Sequence, residues 1–199
     1  MASRLTRGHL IRRGAAGGAL LLAGSAATVL APTAAAAVPD GDLTYLRLLI
    51  GVELLATDFH GQALDSGKLS AASASLAKQM LADEKAHYAG LAQLVAGAGQ
   101  IPATSDDIDF TYPKRTFDSE GAILKAASAI ESLAVGAYLG AIENVQTSAF
   151  RLPIGQIAAN EAQHLGAISV RTGKRPVGRA FAPSLGIDAA SQALDAYES

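Results

Sequence analysis

The chain has 199 residues, half of them apolar and only 17% charged, which suffices for one well-buried core and one domain. It contains no Cys, so disulfides and thiolate metal sites are excluded. Sixteen Lys and Arg against 18 Asp and Glu give a net charge of −2.

In the first 37 residues, Arg4, Arg7, Arg12 and Arg13 precede the Gly-rich apolar run GAAGGALLLAGSAATVLA, which ends in the small-residue stretch APTAAAA. This is the layout of an export signal, and the Arg12–Arg13 pair ahead of a weakly hydrophobic run points to the twin-arginine route. No Cys follows to carry a lipid, and the A-x-A-like end predicts cleavage. An extracytoplasmic or secreted protein with no stable membrane span is therefore expected. Residues 1–37 hold four Arg and no acids, so the remainder has 12 basic and 18 acidic residues, a net charge near −6. A chain this acidic is not expected to bind nucleic acid.

Beyond the signal, DLTYLRLLIGVELLATDFHGQALDS (residues 42–66) has apolar residues at helical spacing, no internal Pro, and Gly67 as its stop. SAASASLAKQMLADEKAHYAGLAQLV (residues 70–95) repeats the pattern, so the two read as an antiparallel helical hairpin. GQIPATSDDIDFTYPKRTF follows, with two Pro and an acidic cluster, and reads as a long crossover with a solvated acidic loop. A third helix is expected from Asp118 to about residue 146, and a fourth from Pro153 to Gly173. The tail, residues 174–199, reads as loop with one short docking helix. Tyr45, Tyr88, Tyr112 and the Phe residues read as packing. The fold class is thus all-α: a four-helix bundle of two antiparallel hairpins (residues 38–173) joined by a long crossover.

On these helices, Glu84 and His87 stand three residues apart and so share a face, and the same spacing recurs in Glu161 and His164. The other two helices each carry a Glu in an apolar segment, Glu53 and Glu131, where an unpartnered charge is costly to bury. Glu53 to Glu84 is 31 residues and Glu131 to Glu161 is 30, while the offsets between hairpins are 78 and 77, so the chain reads as two copies of one hairpin. Seven residues after Glu53 comes His60, and seven after Glu131 comes Tyr138, each on the face of its Glu. Four carboxylates and two imidazoles converging in a bundle core suit two divalent metals.

Glu143 is the rival donor on the third helix, but it lies twelve residues past Glu131, roughly 120° round the helix, and reads as surface. A fourth helix starting at Pro153 would leave Glu161 on the order of 10 Å out of depth with Glu131. The segment QTSAFRL must then continue along the bundle axis.

The motifs ELLATDFH, DEKAH, ESLAVGAY and NEAQH together resemble those of the ferritin-like superfamily, and within it the exported bacterial ferritin-like domain proteins, over residues 42–172. The resemblance implies a ferritin-like fold and makes Glu53, Glu84, His87, Glu131, Glu161 and His164 ligands of a dinuclear metal centre. His60 and Tyr138 match supporting positions. Asp83 and Asn160 match places where such proteins hold a carboxylate that accepts the ring N–H of the opposite hairpin's His, and Asn160 departs from that acidic pattern.

The cofactor implied is two iron ions, with manganese as the alternative. The activity implied is metal-ion oxidation or peroxide removal, with O₂ or H₂O₂ as the oxidant. The competing expectation is a non-enzymatic envelope protein of stress or desiccation type that keeps the bundle. A homo-oligomer is compatible with either, but no cage-forming surface is legible, so mineral storage is not expected.

Overall fold

The computed structural model describes residues 37–198, and all but the last residue of the predicted export signal lies outside them. Among the described residues five helices form: α1 (Asp40–Asp65), α2 (Ala71–Gly97), α3 (Glu120–Asn144), α4 (Ser148–Arg171) and α5 (Ile187–Asp195). Among the described residues the only extended pairing is an isolated bridge between Phe110 and Glu198. The first four helices make a four-helix bundle of two antiparallel hairpins, and α5 follows in the tail.

Local chemistry sets most of the boundaries. Gly67 turns the α1–α2 hairpin at φ 64°, a conformation that costs glycine little. Ser70 and Ser119 cap α2 and α3, each side chain accepting the backbone N–H of the third residue of its helix, Ser73 and Ala122. The third helix therefore begins behind Ser119, not at Asp118, whose carboxylate instead accepts from Arg115 Nε at 2.9 Å. Gly173, at φ 70°, ends α4, and the Lys174 N–H closes back onto the Ser169 carbonyl at 2.8 Å.

The fourth helix does not start at Pro153. It starts at Ser148, and Pro153 lies within it. The cause is a distant acid: the buried Asp42 carboxylate on α1 accepts the N–H groups of Gln146 (2.9 Å) and Thr147 (2.8 Å), satisfying donors at the helix start. Arg151 adds a clamp, donating to the Val145 carbonyl at 3.0 Å. With its first turn held at both sides, α4 tolerates the hydrogen bond that Pro153 cannot make. The five additional residues carry the chain along the axis and bring Glu161 level with the other carboxylates.

The core lies between all four long helices. From Leu48 to Ala56, every residue of α1 is buried, because its inner side faces the bundle and its outer side is covered by α5 through Ala190 and Leu194. The tail reaches that position by crossing α3: the Leu185 N–H donates to the Gly136 carbonyl at 2.9 Å, and a Cβ at Gly140 would lie 1.9 Å from the Leu185 carbonyl oxygen. Glycine at 136 and 140 is thus the groove that seats the tail. One packing expectation fails here. Phe59 and Phe150 are buried, but Phe181 is 89% exposed, because it belongs to the tail segment before the Leu185 anchor.

Candidate metal centre

Each long helix brings one carboxylate to the same depth. Glu53, Glu84, Glu131 and Glu161 are all 1% exposed or less, and His87 and His164 close the cluster from α2 and α4. The inward facing of these groups follows from helix geometry: Leu49 and Ala56 flank Glu53 on its face, and Ala127 and Ala134 flank Glu131, all nearly fully buried.

Two sets of four donors result. Glu53, Glu84, His87 and Glu161 each offer one atom, all within 4.8 Å of one another, and Glu84, Glu131, Glu161 and His164 do the same. Glu84 and Glu161 belong to both sets. His87 Nδ1 lies 2.8 Å from Glu161, 3.2 Å from Glu84 and 3.5 Å from Glu53. His164 Nδ1 lies 3.0 Å from Glu84, 3.4 Å from Glu161 and 3.6 Å from Glu131.

Donors placed about 2.1 Å from one ion are separated by roughly 3.0 Å along an octahedral edge and about 3.4 Å along a tetrahedral one. The observed nitrogen–oxygen separations bracket those values. Only part of the cluster is hydrogen-bonded: His87 Nδ1 pairs with Glu84 Oε2 at 3.2 Å, whereas Glu53 Oε2, Glu84 Oε1, Glu131 Oε2, both Glu161 oxygens and His164 Nδ1 are buried with no hydrogen-bond partner. Buried polar atoms are nearly always paired, and six orphans in one cluster form a donor set shaped for cations rather than for one another.

The outward-facing atoms are, by contrast, held. The Tyr138 hydroxyl donates a very short hydrogen bond to Glu53 Oε1. His60 Nε2 lies 3.1 Å from Glu131 Oε1, so each of α1 and α3 steadies the other's carboxylate. His164 Nε2 lies 3.2 Å from Asp83 Oδ2 on the opposite hairpin. The fourth such contact is missing: among the described residues Asn160 makes no hydrogen bond to His87. Glu143 is exposed and accepts from Ser184 at 3.2 Å, well off the cluster. The residue that sequence reasoning missed is Asp42, which sets the depth of Glu161 by holding Thr147, 105 positions away in the chain.

Electrostatics follow from burial and crowding. Burial pushes the Glu53 and Glu131 carboxyls well above the usual carboxylate range, and the neighbouring Glu84 and Glu161 add to it. Burial would also raise Glu84, but the His164 and His87 rings outweigh it and hold that carboxyl well below its ordinary value. Burial would lower His87, yet Glu161, Glu53 and Glu84 hold its imidazolium up to about 12. His164 is raised well above its ordinary value by Glu131, Glu161 and Glu84 against the same burial effect. For His60 burial wins over the pull of Glu84 and Glu161, so its imidazole falls to about 4 and is neutral, and burial beside Glu53 keeps the Tyr138 phenol protonated. Protons on two imidazoles therefore offset part of the carboxylate charge that two divalent cations would neutralise in full.

Comparison with known proteins agrees with this architecture. The chain is similar in structure to a hypothetical protein of Methanococcus jannaschii, with a TM-score of 0.57 at 14% identity, over 77% of this chain and 91% of that one. No curated protein matches it. The profile of the ferritin-like domain matches residues 41–174, from the start of α1 to the end of α4, and the chain belongs to that family.

Proposed function

We propose that this protein carries a dinuclear metal centre, with iron as the leading metal and manganese as the alternative, and that it oxidises metal ions or removes peroxide using O₂ or H₂O₂. The proposal includes its place of action: outside the cytoplasm, after export directed by residues 1–37 through the twin-arginine route. The observation that carries the reading is the set of unpartnered carboxylate oxygens, belonging to all four buried Glu, around the two His Nδ1 atoms. Burying four carboxylates in an apolar core costs several kcal/mol per charge unless cations offset it.

In this reading Glu84 and Glu161, which belong to both donor sets, would help hold both ions, with Glu53 and His87 holding one of them and Glu131 and His164 the other. The bound pair would supply electrons and a place for the oxidant to bind. The chain's own residues do the rest. Asp83 accepts the His164 Nε2–H, which fixes the tautomer that leaves the Nδ1 lone pair facing the carboxylates. Tyr138 and neutral His60 each take one oxygen of a terminal carboxylate, so the other oxygen stays directed inward. Leu49, Ala56, Ala127 and Ala134 seal the cluster against water along the bundle axis.

Metal analysis of the purified protein, followed by O₂ or peroxide consumption with Fe(II) or Mn(II), tests the proposal. Close to two metals per chain with turnover is the expected result. Bound metal without turnover would favour the non-enzymatic envelope reading, and a chain that takes up no metal would sink the proposal altogether.

A further inference from the structure

Residues 174–184, KRPVGRAFAPS, form a strap tied down at both ends. The Lys174 N–H is bonded to the end of α4, and Leu185 is seated on α3 at Gly136 and Gly140. In between, the Pro176 carbonyl lies against Gly166 of α4, and every residue from 174 to 184 is exposed. The strap has three cations and no acid, and among the described residues Lys174, Arg175 and Arg179 enter no ion pair. Val177 is 82% exposed and Phe181 is 89% exposed.

Long side chains occupy every second position, Arg175, Val177, Arg179 and Phe181, and small ones, Pro176, Gly178, Ala180 and Ala182, lie between them. At the strap's start, Lys125 and Arg171 share a surface groove with Lys174; its one carboxylate, Glu120, accepts from Ser70 and pairs with Arg171 at 3.8 Å, which leaves Lys125 and Lys174 in excess. The rest of the molecule has the opposite sign: outside the strap, residues 38–199 hold nine of the 12 basic residues and all 18 acids.

We propose that this strap docks the protein onto an anionic lipid bilayer. Guanidinium and ammonium groups would lie among the lipid phosphates, while Val177 and Phe181 enter the boundary between headgroups and acyl chains. Charge complementarity selects the occupant's sign, since an acidic body is repelled by an anionic surface everywhere except along this flank. The alternation of charge with bare apolar groups selects its kind. A strap exposed at every residue encloses little that could grip a folded partner's side chains, whereas a fluid interface receives charge and apolar groups side by side without a pocket. The two anchors hold the strap in place, so contact would fix the orientation of the bundle on the membrane.

The test is co-sedimentation of the purified protein with vesicles of phosphatidylglycerol and phosphatidylcholine against vesicles of phosphatidylcholine alone. Every variant keeps the same N-terminus, so any contribution from a retained leader cancels in the comparison. Partitioning onto the anionic vesicles should exceed that onto neutral ones by at least about 10-fold and fall as salt is raised. Arg175→Glu with Arg179→Glu should lower it by at least about 30-fold, and Phe181→Ser by roughly 10-fold. Lys85→Glu, a reversal on the exposed surface of α2, should leave it within about 2-fold of the parent. Metal content should be the same in all four proteins, which separates this inference from the metal centre. Equal partitioning onto neutral and anionic vesicles would overturn it, as would strap variants that bind like the parent. A salt-sensitive dimer formed through the strap, without vesicle binding, would also overturn it.

Discussion

Raising the pH of the metal-free protein from about 7.5 to about 9 should destabilise it, which is unusual for a window in which few side chains titrate. His87 is held up to about 12 in the folded chain, against an ordinary value near 6.5 once unfolded. Over this window the folded state therefore keeps a proton that the unfolded state has lost. Stability from such a group is fully present below about pH 6.5 and drains away as pH rises, by about 1.4 kcal/mol per unit for each retained proton. One retained proton costs about 2 kcal/mol over the window, or about 4–8 °C in Tm for a chain of this size. The His87 side chain is only 11% exposed, so solvent screening removes little of this. His164 and the raised Glu53 and Glu131 carboxyls act in the same direction. His60, at about 4, works in the opposite sense, but its contribution is confined to pH values below about 6.5. Thermal melts of metal-free and Mn(II)-saturated protein at several pH values provide the assay. The metal-loaded melts should be nearly flat across the window, because cations have displaced the protons, and calorimetry in buffers of different ionisation heat should detect proton release on binding. A metal-free Tm that is constant or rises from pH 7.5 to 9 would refute the argument.

Because Glu84 and Glu161 belong to both donor sets, Glu84→Ala and Glu161→Ala should each lose both metals, whereas Glu53→Ala should lose about one and Glu143→Ala none, by metal analysis of the purified variants. Asn160→Asp should give His87 the partner that Asp83 gives His164, tightening the weaker metal-binding step roughly 10-fold in a calorimetric titration, and Asp83→Asn should weaken the other step by about 10–100-fold. Gly140→Ala places a methyl carbon on the Leu185 carbonyl oxygen, so it should cost about 1–3 kcal/mol in denaturant titration and speed proteolysis between residues 174 and 184. Asp42→Ala should cost about 1–2 kcal/mol through the lost cap of α4, and it should also weaken metal binding by letting Glu161 shift.

The bundle and the cluster were legible in the sequence for one reason: the duplication placed the same residue types at the same spacing twice, and helix periodicity then put them on inner faces. A lone Glu84–His87 pair on an amphipathic helix resembles a solvated turn, and only its echo in Glu161 and His164 removes that reading. What was not legible depended on contacts between distant segments. Pro153 is a good local signal for a helix start, yet α4 begins five residues earlier because Asp42 reaches its N–H groups from another helix. Phe181 looks like core by residue type, and its exposure follows only from where Gly136 and Gly140 allow the tail to settle. The missing partner of His87 lies between these cases: the substitution at Asn160 was visible, but its consequence needed the geometry that shows Asp83 within 3.2 Å of His164 and no counterpart opposite.

The same geometry bears on how the chain can fold at all. Four carboxylates at one depth repel each other in a medium where charge is poorly screened, so a fully ionised cluster would oppose assembly of the bundle. The two imidazoles allow a partial solution that needs no metal, since each carries its proton among the carboxylates and Glu53 and Glu131 can hold protons of their own. Folding with protons and then exchanging them for cations makes metal uptake a late step on an already formed site. That order would suit the export proposed for this chain, and it ties loading to pH: uptake becomes easier wherever the surroundings accept the released protons. Donors that were merely close, without two histidines among them, would lack this route and would need metal in order to fold.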